Sequence, residues 1–373
     1  MKHSLKPMLM AATMLALMLT FNSCDDILGE WSRPTPNPVT PSGGGGTATV
    51  TSISIDPTLA LKVGETGQLT ATVDPAGTAV TWSSDQEAVA TVDANGLVTA
   101  KADGTATITA TAGDKSATCT VTVTEVYTAK DYKEASWDGT NNKVVFTKKT
   151  APSDPTVLTN LVTSWSGWYT VSGEVTITGY VMLGAETHLI LQDGATLNCQ
   201  TIDFSNTSGY TLYIYGQDKG DGKLNISNSS ATAMWGSYQG EIVIHGGEIT
   251  AESTSGRGLI AKGIRVYGGK LTATSTGDDG IQFNAGNFEV YGGEVEGEST
   301  CSYGNAILSS NTLKVYGGKV KATGGTGGQG FKCKLLSGTT GIKFYFSNDG
   351  TTWGSGDSYN TAPAPGDRYA KAE

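Results

Sequence analysis

The phrases IVIHGGEITAEST at 242–254, IRVYGGKLTATST at 264–276, FEVYGGEVEGEST at 288–300 and LKVYGGKVKATGG at 313–325 are four copies of one unit. Their glycine pairs begin at 246, 268, 292 and 317, a step of 22 to 25 residues, which is the period of a solenoid. Aligning the copies gives three apolar columns: Ile242, Ile264, Phe288 and Leu313; Ile244, Val266, Val290 and Val315; and Ile249, Leu271, Val295 and Val320. Within a strand the apolar positions are two residues apart, which predicts strands with one buried face. Ala251, Ala273, Gly297 and Ala322 keep the interior narrow where the chain bends, and each Gly-Gly makes a corner that a side chain would obstruct.

The outward positions fix how copies stack. Glu248, Lys270, Glu294 and Lys319 alternate in sign, and Val243, Arg265, Glu289 and Lys314 form a second charged column. Strands stacked in register about 4.8 Å apart make opposite charges lateral neighbours. The expected fold is therefore all-β, with a right-handed parallel β-helix over 164–337 of about eight coils. Trp165, Trp168 and Tyr169 are expected to cover its open end. Residues 126–163 read as a junction or cap. Residues 338–373, with alternating Ile342, Phe344 and Phe346 before Asn348-Asp349-Gly350, read as a hairpin cap.

Upstream, 49–125 carries short alternating runs separated by turn pairs such as Asp74-Pro75, Asn95-Gly96 and Asp103-Gly104, the pattern of a small antiparallel sandwich. The phrases LKVGETGQLTATV and VTWSSDQEAVATVDANGLVTAKADGTATITATA resemble the bacterial Ig-like domain of group 2, whose modules serve as spacers or adhesive units on cell surfaces. Trp82 is the expected core aromatic, and Cys119 lacks the partner for an inter-sheet disulfide.

Residues 1–23 begin with Lys2, His3 and Lys6 and continue apolar to Phe21, a targeting segment too short to span a membrane. The segment resembles a bacterial lipoprotein signal with Cys24 as the lipidated residue. Asp25-Asp26 is similar to the export tag of Bacteroides-type surface lipoproteins. The resemblance implies an outer-membrane or cell-surface location, reached through the lipid anchor alone. Residues 24–48 include RPTPNPVTPSGGGG, a spacer stiff in its proline half and flexible in its glycine half.

The formal charge of −10 falls to −12 when Lys2 and Lys6 leave with the signal, which argues against nucleic acid as a partner. Lysines 314, 319, 321, 332, 334 and 343 nevertheless fall in a stretch without acids, and Lys314 and Lys321 are candidate contacts for an anionic glycan. Cys119, Cys199, Cys301 and Cys333 show no metal or disulfide spacing and are expected as thiols. Trp235 and Tyr238, in the insertion ATAMWGSYQG, can stack on sugar rings or fold back over the solenoid.

The turn Gly277-Asp278-Asp279-Gly280 offers two carboxylates to a hard cation, or is simply a good turn. The stretch GLIAKGIRVYGGKLTATSTGDDGIQF is similar to the repeats of surface carbohydrate-binding β-helix proteins related in fold to calcium-dependent pectate lyases. That resemblance implies an acidic polysaccharide as ligand and calcium as cofactor, held by Asp278 and Asp279. His188 and His245 both read as structural, and neither Lys262 nor Lys332 is singled out as a lyase base. The expected function is noncatalytic polysaccharide binding at the cell surface, the alternatives being an adhesin for a protein partner and a calcium-dependent lyase.

Overall fold

Apolar residues at every second position, repeated every coil, leave the chain one way to bury them, which is to wrap strands around a shared interior. The computed structural model describes residues 49–205, 209–339, 342, 344–347, 354–356, 358–359 and 369–372. The expected signal at 1–23, Cys24, the linker at 24–48, Lys343 and the Asn348-Asp349-Gly350 turn lie outside the described residues.

Residues 49–125 form the sandwich. A four-stranded sheet in the order Thr58–Lys62, Lys115–Thr124, Gly104–Ala112, Thr81–Ser84 faces the three strands Thr66–Gln68, Leu97–Ala100 and Ala90–Val92. Leu69, Val98, Ile108, Cys119 and Val121 fill the space between them, and Trp82 packs half-buried against this core.

From Ser164 the chain winds into a solenoid of three parallel sheets. The first sheet contains Thr211–Tyr215, Glu241–Ile244, Gly263–Val266 and Phe288–Val290. The second contains Lys223–Asn228, Glu248–Ser253, Lys270–Ser275, Glu294–Ser299 and Lys319–Thr323. The third contains Met234–Trp235, Leu259–Ala261 and Ile281–Phe283. The three apolar columns read from the sequence are ladders in register, with Ile242 beside Ile264, Ile264 beside Phe288, and Phe288 beside Leu313. All three sets are buried in one continuous core.

The charge columns are ladders too. Glu248 lies beside Lys270, Lys270 beside Glu294 and Glu294 beside Lys319, and Lys223 extends the row to Glu248 at 3.3 Å. These pairs are exposed and each contributes little. Their alternation matters more for register, because a slip by one strand would set like charges side by side.

Seven coils are complete, fewer than the eight expected. Among the described residues an eighth supplies only 335–337, the end of Phe331–Ser337, which pairs with Leu313, Lys314 and Val315. The place where its second-sheet strand would lie is taken by Tyr369–Ala372, running antiparallel to Lys319–Thr323. Phe344–Ser347 pairs with both Gly354–Gly356 and Tyr369–Ala372, so an antiparallel patch closes the far edge.

At the near end, Trp165 and Tyr169 are buried in the core with Leu158, and Thr156–Val157 adds a short strand to the first sheet. Trp168 does not join them, because strand alternation turns it outward, where it stacks on His188 at 4.1 Å. The junction also does more than cap. Asp131–Asp138 and Lys143–Thr150 form a hairpin that runs along the solenoid's side over the Gly-Gly corners. Trp137 packs on Tyr291 and Tyr316, and the backbone N–H groups of Lys133 and Ala135 donate to Gly216 O and to His245 Nδ1.

Beneath this strap runs a column of stacked rings. Tyr215, His245, Tyr267, Tyr291 and Tyr316 have successive centroid distances of 4.8, 5.3, 4.7 and 4.5 Å, with planes within 12° of parallel. Each contact adds about 0.5–1.5 kcal/mol beyond the area buried. The aromatic before each glycine pair thus stacks lengthwise along the rod.

Candidate functional site: the outer face of the third sheet

The residues singled out from sequence do not converge on one place. Lys314 lies on the first sheet with its Nζ 3.7 Å from Glu289, and Lys321 on the second sheet with its Nζ 2.6 Å from Glu296. The two ammonium groups belong to different faces, and each has a carboxylate from the neighbouring coil. Asp278 and Asp279 sit at the turn between second and third sheets, before Ile281–Phe283. Trp235 and Tyr238 lie two coils earlier, at and after the third-sheet strand Met234–Trp235.

The aspartate turn is already occupied by protein. The guanidinium of Arg257 is 3.2 Å from Asp278 Oδ2 and 3.6 Å from Asp279 Oδ2. Asp279 Oδ1 accepts hydrogen bonds from the backbone and side-chain nitrogens of Asn305, at 2.7 and 2.9 Å. Burial raises the Asp279 carboxyl above the usual range, while the Asn305 bonds pull the other way. Among the described residues no group of three or more His, Cys, Asp or Glu side chains comes together as a metal site. Asp278 and Asp279 act here as anchors that tie one coil's turn to the next through Arg257 and Asn305.

The two described histidines, His188 and His245, are in the aromatic stack. His188 lies between Trp168 and Tyr213, with Nδ1 3.0 Å from the Tyr215 hydroxyl. Burial depresses its basicity, with Glu186 opposing. Its other ring nitrogen, Nε2, lies 3.3 Å from Glu186 Oε1.

The four described cysteines are free thiols. Cys119, Cys199 and Cys333 are buried, and burial pushes the Cys199 and Cys333 thiols up to about 12. Only Cys301 is partly exposed. A maleimide at neutral pH, read by peptide mass mapping, is expected to modify Cys301 and to reach the other three only after denaturation. Native labelling of Cys199 or Cys333 would contradict this packing.

What remains is the outer face of the third sheet near the start of the solenoid. Exposed large side chains gather there: Tyr180 is 50% exposed, Met182 58%, Trp235 42% and Tyr238 62%. One outward column runs Met182, Asp203, Trp235, Ile260, Gln282, Leu308, Lys332 in lateral register. Local sequence explains the display. In the run Tyr180-Val181-Met182-Leu183 the even positions face out, while Val181 and Leu183 are buried. Gly236 and Gly240 let the Tyr238 loop settle on Phe204, since a Cβ at either would meet the Phe204 ring or carbonyl at 2.2–2.5 Å. Asn284 Nδ2 reaches Ser237 O at 3.5 Å, tying the loop to a later coil.

The sequence singled out Trp235 and Tyr238, which the structure places here, and did not single out Tyr180, Met182 or Asp203. Apolar residues at both parities of 180–183 are the signal for a strand apolar on both faces.

Residues 49–123 match the family model of the bacterial Ig-like domain (group 2). No curated protein matches the chain. Among solved structures, domains 4 and 5 of the S-layer protein SbsC are similar over 20% of this chain, at 23% identity and a TM-score of 0.18. The match spans 53% of that structure.

Proposed function

We propose that this chain is a noncatalytic glycan-binding protein of the bacterial cell surface, in which the Ig-like module carries a solenoid that holds a polysaccharide on its third sheet. The observation behind the reading is the set Tyr180, Met182 and Trp235, exposed on the parallel third sheet, with Tyr238 exposed on the loop that follows Trp235. Solvated aromatics cost free energy to leave uncovered, and their faces match the C–H faces of pyranose rings. Lipid attachment at Cys24 and a surface location are part of the same proposal.

Binding at this face is expected to be independent of calcium, a reading supported by the distance in the fold of the Asp278-Asp279 turn and by its contacts to Arg257 and Asn305. The test is affinity electrophoresis of the full chain through a panel of polysaccharides, with and without a chelator. At least one polymer is expected to retard the chain equally in both conditions. Trp235→Ala is expected to weaken retardation about tenfold and Tyr238→Ala somewhat less, about 1 kcal/mol per stacked ring. Both side chains point outward, so thermal stability should be unchanged. Retention by no polymer would favour the adhesin alternative, and unsaturated products absorbing in the ultraviolet would favour a lyase.

A further inference from the structure

The residue between Met182 and Trp235 on this face is an acid. Asp203 is the lateral partner of both, one strand from each, or about 4.8 Å along the rod. Its Oδ1 accepts from the backbone N–H and the hydroxyl of Ser205, at 2.9 and 2.7 Å, which fixes the carboxylate's direction. Among the described residues none donates to Oδ2. The next strands of the column bring Ile260, Gln282 and Leu308 before Lys332, four strands beyond Trp235. Lys262, at the end of the neighbouring strand, is held by Glu241 at 2.9 Å. Among the described residues the aromatic face therefore carries one oriented carboxylate and no free cation beside it.

A carboxylate next to an indole suits a ring that presents an apolar face and adjacent hydroxyls. The ring stacks on Trp235, while a hydroxyl donates to Asp203 Oδ2 in a charge-assisted hydrogen bond. A uronate or sulfated sugar would instead bring a second negative charge against Asp203, with nothing to neutralise it. We infer that the ligand of this face is an uncharged polysaccharide, recognised by stacking on Trp235 and Tyr238 and by hydroxyl donation to Asp203. This rests on the glycan-binding reading above and departs from the acidic polymer that the β-helix resemblance implies.

The test compares uncharged polymers (β-glucan, galactomannan, mannan) with uronate polymers (polygalacturonate, alginate) in affinity electrophoresis of the full chain at low and high salt. An uncharged polymer is expected to retard the chain at both salt concentrations, and the uronates at neither. Asp203→Asn, which keeps the shape but removes the charge, is expected to lose about tenfold in affinity. Trp235→Ala serves as the positive control for the face. Uronate binding that weakens with salt, or full affinity in Asp203→Asn while Trp235→Ala is impaired, would overturn the inference and leave glycan binding intact. Retention of nothing, or full affinity in Trp235→Ala, would remove the glycan reading and this inference with it.

Discussion

Gly293→Ala is expected to destabilise the solenoid by at least about 3 kcal/mol, a large part of the stability of an ordinary domain. Two costs combine. Gly293 has φ +75, where an L side chain costs about 1–2 kcal/mol. An added Cβ would also lie 2.5 Å from Gly269 O and 2.9 Å from Gly268 C, both backbone atoms of the neighbouring coil. No side chain can swing away, so the coil spacing itself must open and the ladder hydrogen bonds lengthen. Gly194→Ala is the control. Its φ is +71, but nothing lies within 4 Å of its added Cβ, so only the conformational cost of about 1 kcal/mol applies. Urea unfolding followed by near-ultraviolet circular dichroism measures both, and equal losses in the two variants would show that coil contact is not what the second glycine serves.

The first glycine of two of the pairs has a further neighbour, one hidden in the sequence. A Cβ on Gly268 would meet Phe146 Cζ at 2.8 Å beside His245 O at 2.9 Å, and one on Gly292 would meet Tyr267 O at 2.6 Å and then Val144 Cγ2 at 3.0 Å. Phe146 and Val144 belong to the strap, far upstream of these glycines in the sequence. Repeats are legible because each column is tested four times over, so Ile242, Ile264, Phe288 and Leu313 declare a buried position together. The strap occurs once. Its alternation, with Ala135, Trp137, Val144 and Phe146 on the face toward the solenoid, was equally compatible with a loop-rich cap. Asp203 was hidden for the same reason: it stands in an early coil of irregular period, where Asp203-Phe204-Ser205 reads as an ordinary turn. Trp168 was misplaced because an end-covering role was assigned to three neighbouring aromatics at once, whereas strand parity divides them.

The single irregularity inside the aromatic column carries the last expected result. Where the other repeat copies have tyrosine, His245 takes the place, stacked between Tyr215 and Tyr267 and accepting the Ala135 N–H of the strap at 3.1 Å through Nδ1. Burial is the main cause that holds its basicity down to about 4. The Ala135 carbonyl supports protonation, and the charges of Arg265 and His188 oppose it. The unfolded chain takes up this proton near the ordinary value of 6.5, the folded chain only near 4. The folded state therefore binds fewer protons between those limits, so stability falls as the pH drops from about 6.5 to about 4 and is level above that window. At about 1.4 kcal/mol per decade the full loss is about 3 kcal/mol. His245→Tyr restores the residue of the other copies. It forfeits the bond to Ala135 N–H, costing about 1 kcal/mol at every pH, and removes the His245 share of the acid-sensitive slope, that of His188 remaining. Carboxylates elsewhere titrate alike in both proteins, so the difference between their urea midpoints, plotted against pH, reports His245 together with its effect on the neighbouring His188. A difference that stays constant from pH 7 to pH 4, rather than shrinking and reversing, would mean that His245 protonates in place without disturbing the stack or the strap.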